Sequence, residues 1–394
     1  MGAPDIVQAE ASPYARHIPA LDGIRGLAVL GVAASHLFPG SAKSLLTRAM
    51  SNTLVFGATG VDLFFVLSGF LITGILYDSR SDSKFFRKFY ARRVLRIFPL
   101  YYAVLAVFVV IGIVRGLSSQ GELLSLSLYL QNTTIFAPII NDYNGPLMLP
   151  LTHFWSLAIE EQFYLVWPFV VYFTRKRSHL LSFCVASFLL CPVYRFVLAL
   201  HGAGIFGVQT NTAARADSLL AGAALALLLR SRFHDTTLRI AKRLFYVAGS
   251  VVLVGLVLNP TGVNHPETLP AWGFALRYTV LDAACVGMIA WVLASALPNR
   301  IFSIRVLRHL GKYSYGLYVL HLILFTYLQA PLKKIVENYV STSKGLGVLL
   351  VGLISFAISL LAAYLSYQVY EKRFLRLKRF FDYRKHPNTA VAGN

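Results

Sequence analysis

Apolar residues in this chain run in long blocks separated by short polar stretches, many of them basic. Blocks near the roughly 20 residues that an α-helix needs to cross a bilayer fall at 18–38, 54–77, 97–115, 153–174, 180–200, 212–230, 244–259, 271–297, 313–331 and 345–369. The pattern predicts an all-α polytopic membrane protein with about ten transmembrane helices. A shorter apolar run, Leu123–Leu130, cannot span and is expected at the membrane interface.

Charge gives these blocks an orientation. Basic residues follow every second block: Arg80 to Arg96, Arg175 to Arg177, Arg230 to Arg243, Arg300 to Lys312 and a tail from Lys372 to Lys385. The alternate loops at 116–152, 201–211 and 260–270 contain no lysine or arginine at all. The positive-inside rule then places both termini in the cytoplasm and the protein in the cell inner (plasma) membrane. Residues 1–17 read as a cytoplasmic segment without the apolar core of a signal peptide, so the first helix is expected to act as its own insertion signal. Residues 18–371 read as one transmembrane domain and 372–394 as a basic tail, with no internal repeat and no appended soluble domain.

Composition agrees. With 56% hydrophobic and 14% charged residues, the chain does not fit a soluble globular class. The net charge of +20 does not indicate nucleic acid, because the basic residues form no water-exposed domain. Cys184, Cys191 and Cys285 lie in apolar blocks without metal-ligand spacing and read as packing residues, so no metal site is expected.

Ionisable residues at membrane depth are costly and tend to mark sites. Arg25 and His36 lie eleven residues apart in the first block, on one helix face and roughly 17 Å apart along the axis. Asp22 joins that stripe. His36 has the proton affinity of a general base, and Arg25 can neutralise an anionic ligand on the same face. Arg195, Arg215 and Arg277 are the other arginines at depth, and Asp62, Glu160, Glu161, Asp217 and Asp282 the other acids. Buried pairing among these residues weighs as heavily as function.

Further motifs add candidates. Arg92, Arg93 and Arg96 open the third helix, with Arg93 and Arg96 on one face; they suit phosphate binding, anionic lipid headgroups or topology alone. Thr152-His153-Phe-Trp155-Ser156-Leu-Ala-Ile-Glu160-Glu161-Gln162-Phe-Tyr164 places His153, Glu160 and Tyr164 on a shared face and Trp155 at an interface. The adjacent carboxylates point in different directions, so one can face a cavity while the other meets an arginine. Gly60-Val-Asp62 to Ser68-Gly offers a buried acid and a small-residue packing face. His321, in Ser314-Tyr-Gly-Leu-Tyr-Val-Leu-His321, is the weakest of these signals.

Taken in order, these segments resemble the acyltransferase-3 family, membrane-bound O-acyltransferases of sugars and other hydroxyl compounds. Ile18 to Arg25 with His36, Gly60 to Phe70, Arg92 to Arg96, Trp155 to Tyr164, Arg215-Ala-Asp217 and Ser314 to Tyr318 all resemble family motifs. Glu371-Lys-Arg373 departs from the Glu-Lys-Pro of many members, and the chain resembles the type without a C-terminal hydrolase-like domain. The resemblance implies an acyl-CoA donor, commonly acetyl-CoA, whose extended pantetheine arm matches the Arg25 to His36 spacing. Arg92, Arg93 and Arg96 would then hold the nucleotide phosphates, Arg25 the arm, and His36 would act as general base, with Asp22, Glu160 and Glu161 as further catalytic candidates. Asp62, His153, Trp155, Ser156, Tyr164, Arg215, Asp217 and His321 are the candidates for the acceptor pocket. A carbohydrate such as an exopolysaccharide or lipid-linked sugar is the expected acceptor, with a macrolide-like small molecule as alternative. The rival class is a transporter or flippase for a glycolipid, disfavoured by the absence of repeated halves.

Overall fold

The computed structural model describes residues 17–38, 56–116, 120–133, 149–259, 268–340 and 344–383, and among them there is no strand. Ten long helices follow the ten expected blocks: α1 Pro19–Leu37, α2 Gly60–Asp78, α3 Phe85–Arg115, α4 Trp155–Phe173, α5 Arg177–Leu200, α6 Thr212–Leu228, α7 His234–Leu258, α8 Ala271–Ala294, α9 Arg305–Tyr339 and α10 Lys344–Leu365. The chain is an all-α polytopic membrane protein, with eight helices among the described residues long and apolar enough to cross a bilayer. The two of the ten below that standard are α4 and α6, which carry Glu160 and Glu161 and Arg215 and Asp217.

Those charges explain the layering. Most of α6 is buried in protein, from Ala214 to Leu227, and the window of α2 against it is 67% buried. By contrast only 11% of the window of α7 is buried, and its Val247, Val251, Val254 and Leu258 face outward as lipid-facing residues do. α6 is therefore enclosed by its neighbours, whereas α7 lies at the periphery.

Three helices begin earlier than hydropathy suggested. α3 starts at Phe85, α7 at His234 and α9 at Arg305, so their basic segments are helical extensions rather than loops. Lysine, arginine and leucine are good helix formers and let the backbone continue past the apolar boundary. The arginines of α3 are thereby held on a rigid element. The Leu123–Leu130 run forms the short helix Gln120–Ser127 and a turn, tied to α3 where the Tyr101 and Tyr102 hydroxyls donate to the carbonyls of Leu126 and Ser127 at 2.7 and 2.8 Å. The expected N-terminal segment, save His17, lies outside the described residues, as do 134–148 of the outer loop, 260–267 and the tail beyond 383.

Glycine sets one contact that matters for function. A Cβ at Gly26 would stand 2.1 Å from the Leu307 carbonyl oxygen, and one at Gly311 would stand 1.9 Å from that of Asp22. α1 and α9 therefore touch backbone to backbone, an approach that only the missing side chains allow. His36 lies ten residues beyond Gly26, and His321 ten beyond Gly311.

Candidate functional site

A cavity of about 130 Å³ opens among α1, α2, α3, α4 and α9. Arg25, Arg93 and Arg96 line it, together with Ser68, Ser156, Glu160, Tyr164, Ser314, Tyr315, Tyr318 and an apolar wall from Val61 to Ile72. Three guanidinium groups against one carboxylate make its lining positive. Arg93 and Arg96 stack over Tyr164 and Tyr315 at 5.3 and 6.0 Å, and neither is ion-paired among the described residues. Arg25 meets Asp22 at 3.3 Å, a loose contact on a half-buried pair. The cations are thus available to an anion, and their planar donors suit phosphate.

The facing wall carries hydroxyls and a carboxylate. Glu160 lies against Ser68 and Tyr164, in the field of Arg93 and Arg25, and the Ser68 and Tyr164 hydroxyls are hydrogen-bonded to each other. Farther along, Ser156 Oγ and the Tyr318 hydroxyl are also bonded to each other, and both lie within reach of the His153 carbonyl oxygen, at 3.2 and 3.0 Å, so one hydroxyl donates to its neighbour and the other to the carbonyl. This pair closes the cavity on the side of a second group of residues.

That group is a cluster of three histidines. His36 Nδ1 lies 2.9 Å from His321 Nε2, with the rings stacked at 5.1 Å. His153 meets His321 edge to face, also at 5.1 Å. His321 and His153 are buried, while His36 keeps partial exposure. None of the three lines the cavity, but Tyr318, which does, packs against His153 and His321 at 5.4 and 5.8 Å.

The structure thus sorts the sequence candidates. Arg25, Arg93, Arg96, Ser156, Glu160 and Tyr164 come together at the cavity, and His36, His153 and His321 just beyond it. Arg92 points elsewhere: one position from Arg93 on a helix is a turn of about 100°, and it pairs with Asp382 and stacks over Tyr383 at 5.5 Å. Asp22 sits at the Arg25 end, 2.6 Å from His17, away from His36. Glu161 faces the Tyr102 and Tyr129 side, not the cavity. Trp155 packs edge to face on Phe65 at 6.2 Å within the core.

Asp62, Arg215 and Asp217 belong to a closed network instead of a pocket. Arg215 pairs with Asp62. Arg195 holds Asp217 with two parallel bonds of 2.9 and 2.8 Å and donates to the carbonyls of Ala214 and Ala275. Ser218 donates to Asp282 at 2.9 Å. Sequence reasoning missed Ser68, Ser314, Tyr315 and Tyr318 as lining residues. One signal was present, because Ser314, Tyr318 and His321 recur at i, i+4 and i+7 on one face of α9.

A family model described as an acyltransferase domain matches residues 18–368. The peptidoglycan O-acetyltransferase OatA of Listeria monocytogenes is 31% identical over 336 residues, covering 82% of this chain and 51% of its own length. YrhL of Bacillus subtilis, provisionally named a peptidoglycan O-acetyltransferase, is 32% identical over 78% of this chain and 48% of its own. A Staphylococcus aureus protein provisionally named an O-acetyltransferase is 29% identical over 80% of this chain and 52% of its own. The chain spans about half the length of these curated relatives. No solved structure matches it.

Proposed function

Because the chain belongs to the acyltransferase-3 family, we propose that it is an O-acetyltransferase moving an acetyl group from acetyl-CoA to a hydroxyl of a peptidoglycan-type carbohydrate. The observation that carries this reading is the cavity lined by Arg93 and Arg96, which make no ion pair among the described residues, and by Arg25, whose one carboxylate contact is loose. A coenzyme A donor brings phosphates to Arg93 and Arg96 and extends its pantetheine arm past Arg25 along α1. The acceptor class rests on OatA, named for acting on peptidoglycan. The arginine-lined end faces the cytoplasm of the inner membrane, with both termini, because the basic residues cluster there.

In the chemical step His36 takes the proton of the acceptor hydroxyl as its oxygen attacks the thioester carbonyl. The carbon–sulfur bond breaks, the coenzyme A thiolate leaves, and the proton held by His36 returns to that sulfur. For the thioester to reach the histidines past Tyr318, the hydrogen bond between Ser156 and Tyr318 opens, since Tyr318 lines the cavity and packs against His153 and His321. Glu160, beside Ser68 and Tyr164, is placed to orient the polar groups of whichever substrate enters.

Donor binding tests the reading. Coenzyme A titrated onto the purified protein in nanodiscs should bind, with affinity falling as salt rises. The Arg93→Ala and Arg96→Ala variants should each weaken binding about tenfold, the loss of one charge-assisted contact of roughly 1.5 to 3 kcal/mol at the low end. Affinity unchanged in both variants rejects the cavity as donor site.

A further inference from the structure

We propose that His321 is a positioning residue that fixes the tautomer of His36, so that His36 Nε2 presents its lone pair to the acceptor hydroxyl. The inference rests on the reading of His36 as general base. It follows from which atoms around the rings can only accept. His321 Nδ1 lies 2.7 Å from the Tyr318 carbonyl oxygen and 3.1 Å from that of Leu317. A carbonyl has no proton to give, so His321 Nδ1 carries the hydrogen and donates it. No carboxylate contacts the ring among the described residues, so nothing there compensates an imidazolium, and the neutral ring satisfies its surroundings. In the neutral ring Nε2 is then an acceptor.

That acceptor stands 2.9 Å from His36 Nδ1. His36 must therefore donate from Nδ1, which leaves Nε2 as its basic atom. The arrangement has a second consequence for the reaction. When His36 gains the acceptor's proton, its Nδ1–H···Nε2 bond to His321 becomes charge-assisted and strengthens as charge develops. His153 completes the support: its Nε2 donates to the Val319 carbonyl at 3.3 Å and its ring packs edge to face on His321. The register comes from the backbone contact of Gly26 with Gly311, ten residues before each partner. The helix of His321 itself supplies the carbonyls that orient its ring, so the device needs only the α1 to α9 contact.

The test is a tautomer measurement with two replacements. Protein labelled with ¹⁵N-histidine in nanodiscs should show His36 protonated at Nδ1 and bare at Nε2, assigned by comparison with His36→Ala. His321→Gln keeps an acceptor near the Nε2 position, whereas His321→Asn reaches only the Nδ1 position. His321→Asn should give mixed His36 tautomers and lower kcat by about 10²-fold, near the low end of what a general base contributes. KM for acetyl-CoA should stay unchanged, and His321→Gln should restore both the tautomer and most of kcat. The assay follows acetyl transfer from acetyl-CoA to an N-acetylglucosamine–N-acetylmuramic acid oligomer. A wild-type His36 protonated at Nε2, or a His321→Asn variant with wild-type kcat, overturns the proposal. An inactive His36→Ala beside a fully active His321→Asn removes only the role of His321; an active His36→Ala removes the base itself.

Discussion

Two regions of this bundle gather arginines between its helices, and they meet the cost of doing so in opposite ways. In the network of α2, α5, α6 and α8, Arg195 and Arg215 each face a carboxylate, and both pairs are buried. In the cavity, Arg93 and Arg96 lean on tyrosine rings, and Arg25 has one loose carboxylate contact. The first region supplies each arginine with its own carboxylate, leaving Arg215 Nε and Asp282 Oδ1 as its atoms without a hydrogen-bond partner among the described residues. The second is positive, and under the proposed function the donor's phosphates supply the missing negative charge. A buried charge alone therefore does not mark a site; a buried charge whose partner must come from outside does.

Breaking the closed network should give the largest loss of stability. Asp217→Ala leaves Arg195 buried without its carboxylate, and truncating one partner of such a pair costs about 3 to 5 kcal/mol. Thermal unfolding in detergent, followed by tryptophan fluorescence, should show a much lowered midpoint. A midpoint within two degrees of wild type would place the network on the functional side of the comparison.

Next comes the glycine contact that brings α1 onto α9. In Gly26→Ala a Cβ would overlap the Leu307 carbonyl, and overpacking of this kind costs typically about 1 to 3 kcal/mol. The variant should lose stability and, because the helices separate, lose transfer activity beyond what its folded fraction explains. Activity per folded molecule equal to wild type would show that the register of α1 and α9 does not hold the histidines.

The cavity arginines should behave differently. Arg96→Ala is expected to lower the unfolding midpoint far less than Asp217→Ala does, because Arg96 meets the buried Glu371 only through its field and not in an ion pair, while raising KM for acetyl-CoA about tenfold. A large drop in stability with unchanged KM would reverse the assignment. The smallest effect is expected at Arg92. Its charge is already engaged by Asp382 on a partly exposed surface, where ion pairs are worth at most about 1 kcal/mol. Steady-state kinetics should find the KM of Arg92→Ala closer to wild type than those of Arg93→Ala and Arg96→Ala.

The same contrast explains what the sequence could reveal. The helices were legible because bilayer thickness imposes a length and an apolar composition on each span, and all ten blocks became helices. Arg25 and Glu160 stood out because charge at depth is rare, and Arg93 and Arg96 because they share a face; all four line the cavity. Asp62, Arg215 and Asp217 carried the same signal, yet their pairing joins helices far apart in the chain and leaves no local trace. The contact of His36 with His321 spans 285 positions, and the glycines that permit it read locally as ordinary packing residues. Tyr318 and Ser68 were hidden for a different reason: a hydroxyl in an apolar helix is inexpensive, so its presence draws no attention.

The central claim, that positive charge binds the donor at one end of α1 while His36 does chemistry at the other, is tested most directly by His36→Ala. In single-turnover acetyl transfer from acetyl-CoA, with coenzyme A affinity measured on the same nanodiscs, the account predicts at least about 10²-fold slower transfer and unchanged affinity. Transfer at the wild-type rate, or affinity that falls together with the rate, would contradict it.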